Sequence, residues 1–167
     1  MTDATVIPAS GSRFYIGSAP IADKDTDFVE ADFNSVTWLE VDPLQTIGTL
    51  GDEVTEGTFD VLNRRRTVVY KGQKRAPNIE VTAALDPSNS GQAKLYEALA
   101  SDSNYPWRVA YPDTPATGAA PTPSMRMGIG MVMSAQEEVA GANDALILRS
   151  IIAPNSNVVR VAAATGD

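Results

Sequence analysis

A chain of 167 residues with 43% hydrophobic and 20% charged residues has the makeup of one globular domain that can bury a core. It contains no Cys and no His, which removes disulfides, thiolate nucleophiles, Cys/His zinc sites and the commonest general base, so no enzyme, metal site or cofactor is expected. A net charge of −8 argues against a dedicated nucleic-acid binder and against an anionic membrane surface, and no apolar run approaches the roughly 18 residues of a transmembrane helix.

Residues 1–12, rich in Thr, Ala, Pro and Gly and without a basic-then-apolar leader pattern, are expected to form an N-terminal arm. Arg13–Gly17 is a short strand. An acidic loop from Ala19 to Asn34 follows, with few apolar anchors, and loops of that length are usually functional or flexible. Val36 to Val41 is a second strand closed by Asp42-Pro43, and Gly48 and Gly51 punctuate a turn-rich segment. Thr55 to Leu62 and Thr67 to Tyr70 predict two strands flanking Arg64-Arg65-Arg66. Ile79, Val81, Ala83 and Leu85 alternate with Glu80, Thr82, Ala84 and Asp86, the period of a strand with one apolar face.

Cap oxygens on Ser88, Asn89 and Ser90 and a stripe of Gln92, Leu95, Tyr96 and Leu99 predict a helix over about residues 90–101, laid on a sheet face. Tyr105, Trp107, Val109 and Tyr111 mark another strand, and Asp113 to Ser124 is a Pro-rich loop. Met125 to Ser134 is the most one-sided strand, with Met125, Met127, Ile129, Met131 and Met133 on the face expected to pack in the core. Gly128-Ile129-Gly130 lacks the third glycine and the strand-to-helix setting of a phosphate loop and indicates close approach of neighbouring groups. Glu137 to Asn143 turns the chain and Ala145 to Ile152 returns as a strand, which bounds a domain over residues 13–152. Residues 153–167 are then a C-terminal arm with a short apolar piece at Val158, Val159 and Val161. Seven or eight short strands and one helix predict a mainly β fold, a β-sandwich or partly closed barrel with extended arms.

Charge is unevenly laid out. Residues 23–60 carry eleven acids and one base, whereas residues 64–75 carry six bases and no acid. Solubility alone is served by interspersed signs, so separated blocks suggest a two-poled surface able to bind copies of itself. The candidate intersubunit contacts are Arg64, Arg65, Arg66, Lys71, Lys74 and Arg75 against Asp23, Asp25, Asp27, Asp52 and Glu53. Adjacent acids such as Asp52/Glu53 and Glu137/Glu138 point to opposite faces of a strand and serve solubility better than acid–base chemistry.

Several features recur in a recognisable order. A strand with Trp38 leads to Leu44-Gln45-Thr46-Ile47-Gly48-Thr49-Leu50-Gly51-Asp52-Glu53. Lys71-Gly72-Gln73-Lys74 precedes a strand, and Gly91-Gln92-Ala93-Lys94-Leu95 opens the helix. Trp107-Arg108-Val109, the Pro-rich loop and a final hairpin near Asn155-Ser156-Asn157 complete the series. Over roughly residues 12 to 163 this resembles the major tail tube proteins of phages and prophages with long, flexible, non-contractile tails, the class of the phage lambda major tail protein. The resemblance implies a β-sandwich with a flanking helix, six copies in a ring, and rings stacked into a virion tail tube that conducts DNA during ejection without specific binding. It also implies assembly in the host cytoplasm, and tape measure, terminator and distal tail proteins as partners, with no membrane role. Arms and a long loop would reach the adjacent ring: residues 1–12, residues 153–167, and either the acidic loop 19–34 or the segment 42–53. The alternative from a binding class is a virion decoration or adhesion module at the tail tip or capsid surface.

Overall fold

The computed structural model describes residues 5–166. Residues 1–4 of the expected N-terminal arm and Asp167 of the C-terminal one lie outside the described residues. The elements are β1 (Arg13–Gly17), β2 (Trp38–Glu40), β3 (Leu44–Ile47), β4 (Glu53–Val61), β5 (Arg66–Arg75), β6 (Ile79–Ala84), α1 (Ser90–Ala100), β7 (Tyr105–Ala110), β8 (Met125–Glu138), β9 (Ile147–Pro154) and β10 (Val159–Val161). A single 3-10 turn, Glu30–Phe33, lies in the acidic loop. Eight strands form one antiparallel sheet, ordered β2-β1-β7-β8-β9-β6-β3 with β10 also on β8, while β4 and β5 form a separate hairpin. The sheet curls until β1 touches β3 across four intervening strands, giving the expected mainly β, partly closed barrel with one flanking helix.

The longest strand organises the rest. One edge of β8 pairs with β7, from Met125 opposite Ala110 to Gly130 opposite Tyr105. Its other edge pairs first with β10, Met127 opposite Val159, and then with β9, Gly130 opposite Pro154. β9 and β10 therefore follow one path along β8, broken at residues 155–158. The register slips between Val132 and Ser134, which face Ile152 and Ile151. One extra residue in a strand resets its in–out alternation. Val132 and Ala135 consequently both reach the main core, and Met133 is 59% exposed. This corrects the expected apolar face: Met127 and Ile129 are buried against a second cluster on the opposite side of the sheet, and Met133 is excluded.

The main core joins Phe14 and Ile16 of β1, Val81 of β6, Leu95 of α1, Trp107 and Val109 of β7, and Leu148 and Ile152 of β9. Each such burial is worth about 1.5–3 kcal/mol. The Gly-Ile-Gly segment has the predicted packing reason. A Cβ on Gly128 would sit 2.8 Å from the Trp107 ring, and one on Gly130 would sit 2.7 Å from the Ala153 carbonyl oxygen.

Helix α1 is capped by Asn89, whose side chain accepts from the Gln92 amide at 2.9 Å. Gln92 is fully buried and satisfied: its Nε2 donates to the Asp42 and Ala84 carbonyls, and its Oε1 accepts from the Asp86 amide. The helix start is thereby stapled to both strands at one end of the β3–β6 pair. Ala98 turns inward and Leu99 outward, a small rotation from the predicted stripe. Two further segments depart from expectation. Leu44–Ile47, hidden between Pro43 and Gly48, is a strand on β6 with a register irregularity at Thr46. The C-terminal segment is built into the body over much of its length: Val159 is buried, β10 extends the sheet, and Thr122 bridges Ala164. Apolar Val158, Val159 and Val161 have a groove beside β8 to fill, which is the physical reason that an arm of this composition docks.

Gly91 yields a test with an inverted sign. Gly→Ala inside a helix ordinarily stabilises by up to about 1 kcal/mol. Here a Cβ would collide with the Glu40 carbonyl and the Val41 amide, backbone atoms that cannot swing away. Gly91→Ala is expected to destabilise by about 1–3 kcal/mol in urea denaturation, the cost of overpacking.

Candidate subunit interface

The hairpin β4–β5 stands apart from the body. Every residue of β5 is exposed, and most of β4 is too. Its sequence forms strands for local reasons: Val, Thr, Phe and Tyr favour the pleated conformation. Tyr70 lies across Gly57, where a Cβ would collide with its ring, and Thr67 Oγ1 donates to Asp60 Oδ1 at 2.7 Å. At about 3.3 Å per residue, strands of nine and ten residues make a ribbon on the order of 30 Å long. Phe59 is 64% exposed, Tyr70 56%, and Leu62, Val68 and Val69 are also open to solvent. A two-stranded ribbon with no layer beneath it is at best marginal in water.

The ladder explains much of the charge layout. β4 carries acids and β5 bases, and antiparallel pairing sets Glu56 opposite Lys71 and Glu53 opposite Arg75, the latter with Nε 3.5 Å from Oε1. Arg64 and Arg65 sit in the turn beyond, and Arg66 faces Val61, so the tip keeps its positive charge.

The acidic loop takes a form that the sequence did not suggest. Phe28 and Phe33 are buried on Met127, Ile129 and Val159, with Trp38 stacked on Phe33 at 6.4 Å. Sequence reading missed these anchors because two aromatics five positions apart in an acidic stretch follow neither strand nor helix period. The loop is a strap over the second face of the sheet. Asn157, in the break between β9 and β10, clasps it: Oδ1 accepts from the Phe28 amide at 2.8 Å and Nδ2 donates to the Phe28 carbonyl at 3.0 Å. Ser156 Oγ accepts from the Ile129 amide, restoring a ladder bond lost at the break. Lys24 donates to Asp32 at 2.6 Å and lies 4.8 Å from the Phe28 ring centroid. That hydrogen bond, helped by the Val29 amide, holds the Asp32 carboxyl below its ordinary range.

Between strap and hairpin base lies a cleft of about 470 Å³, where Asp23, Asp25, Asp27 and Asp52 meet Lys74 and Arg75. Of the sequence-predicted contacts, these six gather within one chain, Glu53 pairs with Arg75, and Lys71, Arg64, Arg65 and Arg66 lie further out along the ribbon. On the sheet's outer face the Arg108 guanidinium is held between Tyr15 and Trp38, 4.3 and 4.8 Å from their ring centroids, and burial pulls its pKa down. Among the described residues no group of three or more acids is arranged to hold a metal ion, and no helix is long and apolar enough to cross a membrane.

No family model matches the sequence, nor does any curated protein. Solved structures do. The PVC sheath/tube terminator of an extracellular contractile injection system superposes with a TM-score of 0.68 at 11% identity, over 96% of this chain and 100% of that one. The cap that terminates the tube of the anti-feeding prophage gives 0.66 at 12% identity, over 97% and 95%. The SPP1 tail tube gives 0.64 at 14% identity, over 97% and 80%. The chain has the tail tube fold. Contractile injection systems match this tail tube fold as well as SPP1 does, so the likeness supports the broad class and does not single out a non-contractile subtype.

Releasing the strap is the direct test of this arrangement. Asn157→Ala removes both bonds to Phe28 and leaves its backbone groups unpaired, a cost of about 1–3 kcal/mol, and should expose residues 21–27 to limited proteolysis. Acid acts on the same element. A carboxyl held below its ordinary 3.8 contributes stability above that pH and loses it as pH falls through its folded value. Strap release in acid, followed by fluorescence of Trp38 with Trp107 replaced by Phe, should therefore be less steep in Asp32→Asn.

Proposed function

We propose that the chain is a structural subunit of a tail tube, assembling with copies of itself rather than catalysing a reaction. The supporting observation is the free-standing ribbon: an element some 30 Å long, apolar on exposed positions and cationic at its tip, is left uncovered by the described residues of its own chain. Among the described residues β2 and β3 end the sheet path with one edge unpaired each, and strand-edge pairing between copies satisfies such groups. In this reading six copies close a ring and rings stack into the tube of a long-tailed, lambda-like virion. DNA passes through the lumen without specific binding, and tape measure, terminator and distal tail proteins are the further partners. Arg64, Arg65, Arg66 and Lys71 contact a neighbouring copy, and net −8 favours a lumen that repels phosphate. The second reading, favoured by TM-scores of 0.68 and 0.66 with a tube terminator and a tube-terminating cap, is a ring that closes such a tube.

Negative-stain microscopy of the concentrated protein separates them: tubes support the subunit, isolated rings the terminator, and monomers at high concentration refute both. Arg64→Glu/Arg65→Glu/Arg66→Glu should raise the concentration needed for assembly about tenfold or more, as should Phe59→Ser with Val69→Ser, since central aromatic and Arg contacts are commonly worth 2 kcal/mol or more. The melting temperature of the monomer should hardly move, because these side chains are exposed. Tubes of normal length from either variant at moderate salt overturn the role of the ribbon.

A further inference from the structure

We infer that the acidic part of the strap, Asp23, Asp25 and Asp27, is an electrostatic seat that fixes the angle at which the β4–β5 ribbon leaves the body. Three independent observations lead there. First, among the described residues β4 and β5 pair only with each other, and the turn into them offers a hinge. Gly51 enters it at φ +131°, a conformation that side chains rarely adopt, with no heavy atom within 4 Å of where a Cβ would stand. The ladder is irregular between Val54 and Glu56, just inside the base.

Second, the strap is a fixed platform. Phe28 and Phe33 are buried and Asn157 clasps Phe28 from both sides, so residues 23–27 overhang the cleft from a rigid anchor. Lys24, the base within that stretch, is already engaged by Asp32 at 2.6 Å. Third, the opposite wall of the cleft carries complementary charge. Lys74 faces Val54 in the ladder and has no carboxylate within ion-pair distance among the described residues. Lys74 and Arg75 line the same cleft as the three strap aspartates, Arg75 with Glu53 as its nearer carboxylate partner and Lys74 without one among the described residues.

Each exposed pair is weak, about 0–1 kcal/mol, and is screened by salt, but several charges acting on one hinge add. Leverage magnifies the result: a rotation of about 10° at the base of a ribbon roughly 30 Å long moves the tip by about 5 Å. The seat concerns the single chain and does not rest on the tube reading. If that reading holds, the seat presents the ribbon at one angle to the next copy.

The test measures the isolated, verified monomer of the full chain, so its failure is distinct from a failure of assembly. The sequence has no native Cys, and nitroxides at Leu62→Cys on the ribbon and Ala93→Cys on α1 report the angle by double electron–electron resonance. At low salt the distance distribution is expected to be narrow. Asp23→Asn/Asp25→Asn/Asp27→Asn, or Lys74→Glu/Arg75→Glu, should shift or widen it by about 5 Å, as should roughly 0.5 M salt, where the screening length is about 4 Å. Combining Lys74→Glu/Arg75→Glu with Asp23→Lys/Asp25→Lys/Asp27→Lys should narrow it again, which a general loosening of the fold would not do. A distribution unchanged by both the triple Asn variant and salt overturns the seat. So does equal widening by Asp102→Asn, a neutralisation outside the cleft.

Discussion

Both faces of β8 are covered from Met127 to Val132, and the rest of the fold follows from that constraint. A strand in a half-exposed sheet needs one apolar face; this one needs two, and each is covered by different means. On the inner face Gly128 and Gly130 give up side chains so that Trp107 and the β9 backbone can approach. On the outer face Met127 and Ile129 accept the strap's two phenylalanines. A strap that crosses a sheet must have its own backbone groups satisfied. The break between β9 and β10 supplies those of Phe28, because Asn157 is released from the ladder there and its side chain both accepts and donates, while Ser156 serves the Ile129 amide of β8. The interruption of one strand and the fastening of a loop more than a hundred residues away in sequence are thus one structural event.

This coupling explains what was legible in the sequence. Elements whose signal is local were readable: the alternation at Ile79–Leu85, the alternation at Tyr105–Tyr111, and the Asn89 cap with the apolar stripe after it. The glycine pair in β8 was readable too, since a mid-strand Gly has few other uses. Elements defined by a distant partner were not. β3 has only four residues and is a strand because β6 lies beside it. The bulge at Met133 has no sequence mark, yet it decides which methionines are core. Phe28 and Phe33 signal burial by their chemistry and nothing about where, so the strap looked like open loop.

The charge layout was visible as a pattern, but its pairing within the chain was not. Acids followed by bases in sequence look like two poles; folded as a hairpin, Glu53 and Glu56 come into register with Arg75 and Lys71 and cancel strand against strand. What survives cancellation is smaller and better placed: the arginines at the tip, and the strap carboxylates facing Lys74 and Arg75 at the base. Contact residues along the ribbon could be named from sequence, but whether their partner was in the same chain depended on one turn.

The ribbon also has the composition of a hazard. Its β-branched and aromatic residues lie on a Pro-free segment with both edges open, features that promote indiscriminate strand pairing between chains. Charge is the counterweight. Lys71, Lys74 and Arg75 line one strand and Arg64 to Arg66 crowd the turn, so two ribbons brought tip to tip or β5 to β5 repel. An approach of β5 to an acidic surface is favoured instead, and a chain of net −8 offers such surfaces on every copy. In the proposed tube, the same bases that keep ribbons apart from one another would steer each toward the body of a neighbour, which is the difference between an aggregate and an ordered assembly.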